Sequence, residues 1–138
     1  MADPAPHRHT VRVYYEDTDA GGIVYHSNYL KFAERARTEL LRTVGLEHRE
    51  LMTAHGAGFA VRRCAIDFRK PALLDDLLEI ETRMVRRRGA SVEMRQIIRR
   101  AADPLVEIDI HVALIDGRGR PMRLPEPLVR ALDAPGPA

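Results

Sequence analysis

Apolar and polar residues alternate along most of the second half of the chain. The cleanest stretch puts Val106, Ile108, Ile110, Val112 and Leu114 on one parity and Glu107, Asp109, His111 and Ala113 on the other. That two-residue period is the signature of a strand with one buried face. Leu78, Ile80, Thr82 and Met84 alternate in the same way with Glu79, Glu81 and Arg83. Val92, Met94 and Ile98 continue the pattern, with Gln96 a polar exception. Phe59 to Arg69 reads as a further strand whose alternation slips between Arg62 and Ala65, as at a bulge. Arg88-Gly89-Ala90 and Ala102-Asp103-Pro104 read as turns, and Asp116-Gly117 with Gly119 ends the series. Near the N-terminus Val11, Val13 and Tyr15 share a parity, which predicts a short strand over residues 11–15.

Between these regions the period becomes helical. Leu30, Ala33, Arg37, Leu40, Leu41 and Val44 fall on one face, with Arg37 its single charge. Ser27 or Asn28 suits the N-cap, and Gly45 suits the position just past the end. Glu34 with Arg37 and Arg35 with Glu39 stand at ion-pair spacing. Leu128 to Leu132 reads as a short last helix. Strand, long helix, then four strands on short turns predicts an α+β domain: one curved antiparallel sheet of about five strands around a central helix. Residues 1–9 read as a loose arm, 10–133 as the single domain and 134–138 as a frayed end.

Composition narrows the function. A chain of 138 residues with 45% apolar content suits one globular domain. No apolar run is long enough for a transmembrane segment, and the first residues lack the apolar core of a signal peptide. A single cysteine, Cys64, forms no internal disulfide, which fits the cytoplasm. Net charge is only +2, with acids interleaved among the arginines and few aromatics, so nucleic acid is not the expected partner.

The chemistry concentrates in YYEDTDAGGIVYHSNYLKFAERARTELL, residues 14–41. Glu16, Asp17 and Asp19 are followed by Gly21-Gly22, His26 and the start of the helix. Carboxylates crowded there suit either a metal or phosphate site, or one catalytic carboxylate aimed at a helix N-terminus. In the second case the acid acts as base or nucleophile and the helix N–H groups stabilise an oxyanion. Gly21 and Gly22 would let the backbone approach a substrate closely. Glu16 and Asp17 read as solvated or structural acids. Arg86, Arg87 and Arg88 form a cationic run before a turn, suited to phosphates.

The segment VRVYYEDTDAGGIVYHSNYLKFAERARTELL, with FAVRRCAIDFRKPALLDDLLEIET further on, closely resembles hotdog-fold acyl-CoA thioesterases of the 4-hydroxybenzoyl-CoA thioesterase superfamily. The nearest resemblance is to their Tol–Pal-associated bacterial group, and it spans roughly residues 10–130. It implies the hotdog fold and thioester hydrolysis with Asp19 as the catalytic carboxylate. It implies that Tyr15 and His26 act around the thioester, with a backbone N–H near His26 facing the carbonyl. It implies acyl-CoA as substrate, with acyl carrier protein a second possible carrier, and a homodimer or homotetramer whose active site lies between subunits. Arg87 and Arg88 then become candidate contacts for the coenzyme A phosphates. No metal or cofactor is implied. The expected setting is cytoplasmic, with a peripheral position at the inner membrane as the alternative.

Two other classes share parts of the pattern. Asp-Thr-Asp after a strand resembles aspartyl-phosphate phosphatases, with Asp75-Asp76 as downstream acids, but these require a buried parallel strand. A non-catalytic module that binds acyl groups or acyl carrier protein would use the same fold.

Overall fold

The computed structural model describes residues 5–133. Residues 1–4 of the expected arm and the expected frayed end, residues 134–138, lie outside the described residues. Five strands form one sheet: β1 (His7–Arg12), β2 (Gly58–Phe68), β3 (Leu77–Arg87), β4 (Ser91–Arg100) and β5 (Asp103–Ile115). Three helices accompany them: α1 (Asn28–Thr43), α2 (His48–His55) and α3 (Glu126–Asp133). Every strand pairing is antiparallel, and the order across the sheet is β1-β3-β4-β5-β2. This is the α+β architecture expected, with α1 against the inner face.

The alternation holds where it was cleanest. Val106, Ile108, Ile110, Val112 and Leu114 are all buried, with Leu78, Ile80, Val92, Met94 and Ile98 beside them. A register shift between Val61 and Arg63 marks the slip in β2. Further shifts between Met84 and Arg86 and between Ile98 and Arg99 bend the sheet.

The ordering of the strands corrects the expected four-strand meander. Only β3, β4 and β5 run as consecutive hairpins; β2 crosses to the far edge beside β5. The connection from β2 to β3, residues 69–76, is too long for a tight hairpin and passes over the end of the sheet.

β1 also differs. It starts at His7, inside the expected arm, and stops at Arg12, before Tyr15. Val13 instead exchanges backbone hydrogen bonds with the crossover, donating to Asp76 and accepting from Asp75. Tyr15 begins a 3-10 turn, Tyr15–Asp17, and is 83% exposed rather than core.

α1 buries Tyr29, Phe32, Ala33, Ala36 and Leu41. Its buried face is rotated by about a residue from the predicted stripe, because the Tyr29 and Phe32 rings bury more area than Leu30. Gly45 follows the helix with φ of +79°. The expected pairs within α1 are replaced: Arg42 reaches Glu39 and Glu47, while Arg37 turns inward. α2 had no clear signal, since Leu51 is its one buried residue.

Candidate active site

The acids separate into two environments. Asp17 is 5% exposed and Asp19 is solvent-facing. Between Asp17 and Tyr25 the chain forms a small hairpin: the Tyr25 N–H donates to the Asp17 carbonyl, and the Asp19 N–H donates to the Ile23 carbonyl, both at 2.9 Å. The Gly22 N–H closes the tip onto the Asp19 carbonyl at 3.0 Å, with φ of +81° at Gly22. Such an angle favours glycine.

Asp19 holds its carboxylate in a defined pose. Its Oδ1 accepts the Gly21 N–H at 2.8 Å. Its Oδ2 takes part in no hydrogen bond among the described residues. The N–H groups of His26 and Ser27 likewise donate to no described residue, while the Asn28 N–H already closes onto the Tyr25 carbonyl. Free donors at a helix start, with the aligned peptide dipoles behind them, suit a developing oxyanion.

Asp19, Ile23, Val24, His26 and Tyr29 share an open groove of about 360 Å³ with the Phe68–Pro71 segment. The crossover makes the far wall. The Val24 N–H donates to the Ala72 carbonyl at 2.9 Å, and Ile23 bridges to Leu73. The Ala72 N–H donates to the Tyr29 hydroxyl at 3.0 Å. Burial pushes the Tyr29 phenol up, so it stays protonated at neutral pH. Its ring meets Phe68 edge-on, with centroids 5.8 Å apart. At the end of the crossover, burial pushes the Asp76 carboxyl up, but the Leu73 N–H and the Arg100 guanidinium outweigh it and hold it low.

Asp19, His26, Gly21 and Gly22 therefore come together. Tyr15 stands one turn before them, its carbonyl accepting from the Thr18 hydroxyl at 2.8 Å, with its ring in solvent. Arg87 and Arg88 do not join them within one chain. The Asp19 hairpin sits at the Leu77 end of β3 and Arg87 at the other, roughly 33 Å away at the rise of a strand. Arg87 is also engaged, donating to both Asp133 carboxylate oxygens at 2.9 and 2.8 Å. Tyr29 and the Phe68–Pro71 wall are the groove residues that sequence reasoning missed. An exposed aromatic at a strand end followed by Arg-Lys-Pro was the available signal.

At the far end of α1 lies an apolar cavity of about 130 Å³, lined by Leu40, Phe59, Val92, Met94 and Leu128, with Arg37 and His48 at its wall. The same end of the molecule is cationic. Residues 86–88 and 116–133 hold seven arginines against three acids.

The antiparallel sheet removes the parallel strand that the aspartyl-phosphate reading required. The sequence pattern of the thioesterase superfamily, 4HBT, matches residues 21–107. The chain is 44% identical over 117 residues to the acyl-CoA thioesterase YbgC of Haemophilus influenzae, covering 84% of this chain and 86% of that one. It is also 44% identical to the Escherichia coli acyl-CoA thioester hydrolase YbgC, covering 88% and 92%. The crystal structure of a probable thioesterase from Bartonella henselae superposes with a TM-score of 0.85 at 42% identity, covering 88% of this chain and all of that one.

Proposed function

This chain belongs to the thioesterase superfamily and is a thioester hydrolase, and from that premise we propose that it cleaves acyl-CoA with Asp19 as its catalytic carboxylate. The observation that carries the assignment is the free Oδ2 of Asp19 in the same groove as His26, next to the unpaired N–H groups at the start of α1. Asp19 either takes a proton from the attacking water or attacks the carbonyl itself. In both routes the carbonyl oxygen gains negative charge between the His26 and Ser27 N–H groups. The carbon–sulfur bond then breaks and the coenzyme A thiolate leaves, giving the free acid directly where Asp19 acts as base, and an Asp19–acyl anhydride that a water then hydrolyses where Asp19 is the nucleophile. His26 and Tyr15 are assigned to orienting the thioester.

The working unit in this reading is a homodimer formed across β2, itself free to pair into a tetramer. β2 is an edge strand, and Val61 and Phe68 are 55% and 50% exposed although they have the parity of the inner face. An edge of this kind favours pairing with another strand. Antiparallel β2–β2 pairing sets the Gly58 end of one chain beside the Phe68 end of the other. The partner's cationic end then approaches Asp19, with Arg86 and Arg88 available for the phosphates and Arg87 holding α3. The apolar cavity lies at that same end, and its volume suits a group about the size of benzene. Acyl carrier protein as an alternative carrier rests on the resemblance alone. So does the link to Tol–Pal at the inner membrane, while the cytoplasmic setting is supported further only by the single cysteine. Among the described residues, no helix is long and apolar enough to cross a membrane.

Thiol release from a panel of acyl-CoA thioesters in EDTA, for the wild type and Asp19→Asn, tests the reading. The wild type is expected to be active and the variant to lose at least ~100-fold in kcat. An equally active Asp19→Asn removes the carboxylate assignment. An inactive, folded wild type removes acyl-CoA as substrate.

A further inference from the structure

The acid two residues before Asp19 has no part in the proposed bond-breaking step, yet it is the most heavily engaged group in the loop. Asp17 Oδ2 accepts the Tyr14 N–H at 2.8 Å, and Oδ1 accepts the Asn28 side-chain amide at 2.9 Å. Its carbonyl accepts the Tyr25 N–H at 2.9 Å, and its own N–H donates to the Tyr14 carbonyl at 3.0 Å. The Tyr25 carbonyl in turn accepts the Asn28 N–H at 2.8 Å. Asp17 and Asn28 are both buried, and no described arginine or lysine pairs with the Asp17 carboxylate. A buried anion held by hydrogen bonds alone is costly to leave unsatisfied. Here it lies against the first residue of α1, where the helix dipole favours negative charge.

The connectivity has a functional consequence. Residues 18–24 are the hairpin that carries Asp19, and residues 26 and 27 carry the free N–H groups. Asp17 and Asn28 flank the whole segment and are bonded to each other across it. The Asp17–Asn28 contact and the Asp17–Tyr25 rung therefore close the segment that carries both the Asp19 carboxylate and the oxyanion donors, with the Asp19–Ile23 rung inside it.

We infer that Asp17 and Asn28 form a clamp that positions Asp19 against the oxyanion donors, an inference that rests on the proposed thioester hydrolysis. Neither side chain touches substrate. The pair acts as positioning residues, and the second acid of the Glu-Asp-Thr-Asp run is retained for geometry.

The test uses a charge swap. Asn28→Asp places two carboxylates face to face, whereas Asp17→Asn/Asn28→Asp restores one amide donor and one carboxylate acceptor and leaves an oxygen for the Tyr14 N–H. Measured on an acyl-CoA, Asn28→Asp is expected to lose roughly 100-fold in kcat with a much smaller change in KM, as for a misplaced reacting group. The double variant is expected to recover most of that loss. Amide exchange should quicken at Tyr25 and Asp19 in Asn28→Asp and slow again in the double variant. Asn28→Ala carries the same comparison if Asn28→Asp does not fold. A wild-type kcat in Asn28→Asp or Asn28→Ala overturns the clamp. So does a double variant that regains stability without regaining kcat. If the wild type cleaves no thioester, the functional reading fails instead, and exchange at Tyr25 and Asp19 still decides the clamp: no change in the single variants overturns it.

Discussion

Arg37 of α1 donates a hydrogen bond to the Gln96 side-chain oxygen of β4 at 2.9 Å. Each is the polar interruption of an otherwise apolar stripe, and the fold brings the two interruptions together. Gln96 is 0% exposed, and its amide nitrogen donates to the Ala33 carbonyl at 3.0 Å and the Thr82 hydroxyl at 3.1 Å. Burial lowers the Arg37 pKa, with the Glu34 carboxylate opposing it. Gln96→Leu would keep the volume and leave a half-buried guanidinium without its acceptor. It is expected to lower stability by about 2–3 kcal/mol in urea unfolding. Adding Arg37→Met should recover part of that loss, because the stranded cation is then gone.

The tip of the Asp19 hairpin separates strain from positioning. A Cβ built on Gly21 would sit 3.2 Å from Asp19 Oδ1, whereas one on Gly22 meets nothing within 4 Å but would be held at φ of +81°. Gly21→Ala is expected to displace the carboxylate and lower kcat with little change in thermal midpoint. Gly22→Ala should cost about 1 kcal/mol of stability through the left-handed backbone. Thermal unfolding and kcat on both variants check the contrast. Equal midpoints for the two would contradict it.

Much of this arrangement could be read in advance because it is local. The alternation in β5 and β3, the slip in β2 and the long helix ending before Gly45 follow from short-range periodicity and turn chemistry. Gln96 and Arg37 were each visible as exceptions, but their pairing was not, since they are 59 residues apart. The crossing of β2 to the far edge depends on where residues 69–76 travel, which no local pattern states. β1 escaped notice over His7 to His9 because its residues are polar on both parities. The groove wall from Phe68 to Pro71 and the binding of Arg87 by Asp133 are likewise contacts made only in three dimensions.

Glu81 gives the molecule an acid-sensitive point away from the site. It lies on the outer face of β3, only 4% exposed, beneath Arg99 and Arg83 at 3.1 Å and Arg8 at 3.6 Å. Burial pushes its carboxyl up, but the Arg99 and Arg83 contacts outweigh it and hold the pKa below the usual 4.5. A depressed carboxyl stabilises the fold above its unfolded value, and the contribution is lost as pH falls through the lower folded value. Urea midpoints should therefore fall as pH drops below about 4.5. Glu81→Gln should be less stable at pH 7 and show a shallower acid limb. An unchanged acid limb would assign the sensitivity to other carboxylates.

The proposed dimer makes a prediction that no single chain can satisfy. If each site takes Asp19 from one protomer and the phosphate-binding arginines from its partner, the two kinds of defect complement each other. Asp19→Asn should abolish turnover, and Arg86→Glu/Arg88→Glu should raise KM for acyl-CoA with kcat largely kept, the pattern of lost ground-state binding. Arg87→Ala should leave KM unchanged and instead quicken amide exchange in α3, because its partner there is Asp133. Mixed and re-formed at equal amounts, Asp19→Asn and Arg86→Glu/Arg88→Glu chains produce mixed dimers holding one intact site. In an isologous pair at low substrate, the mixture should regain about a quarter of wild-type activity per site. Activity that stays at the average of the two separate variants would place the arginines and Asp19 of a working site on the same chain, or remove the arginines from the site altogether.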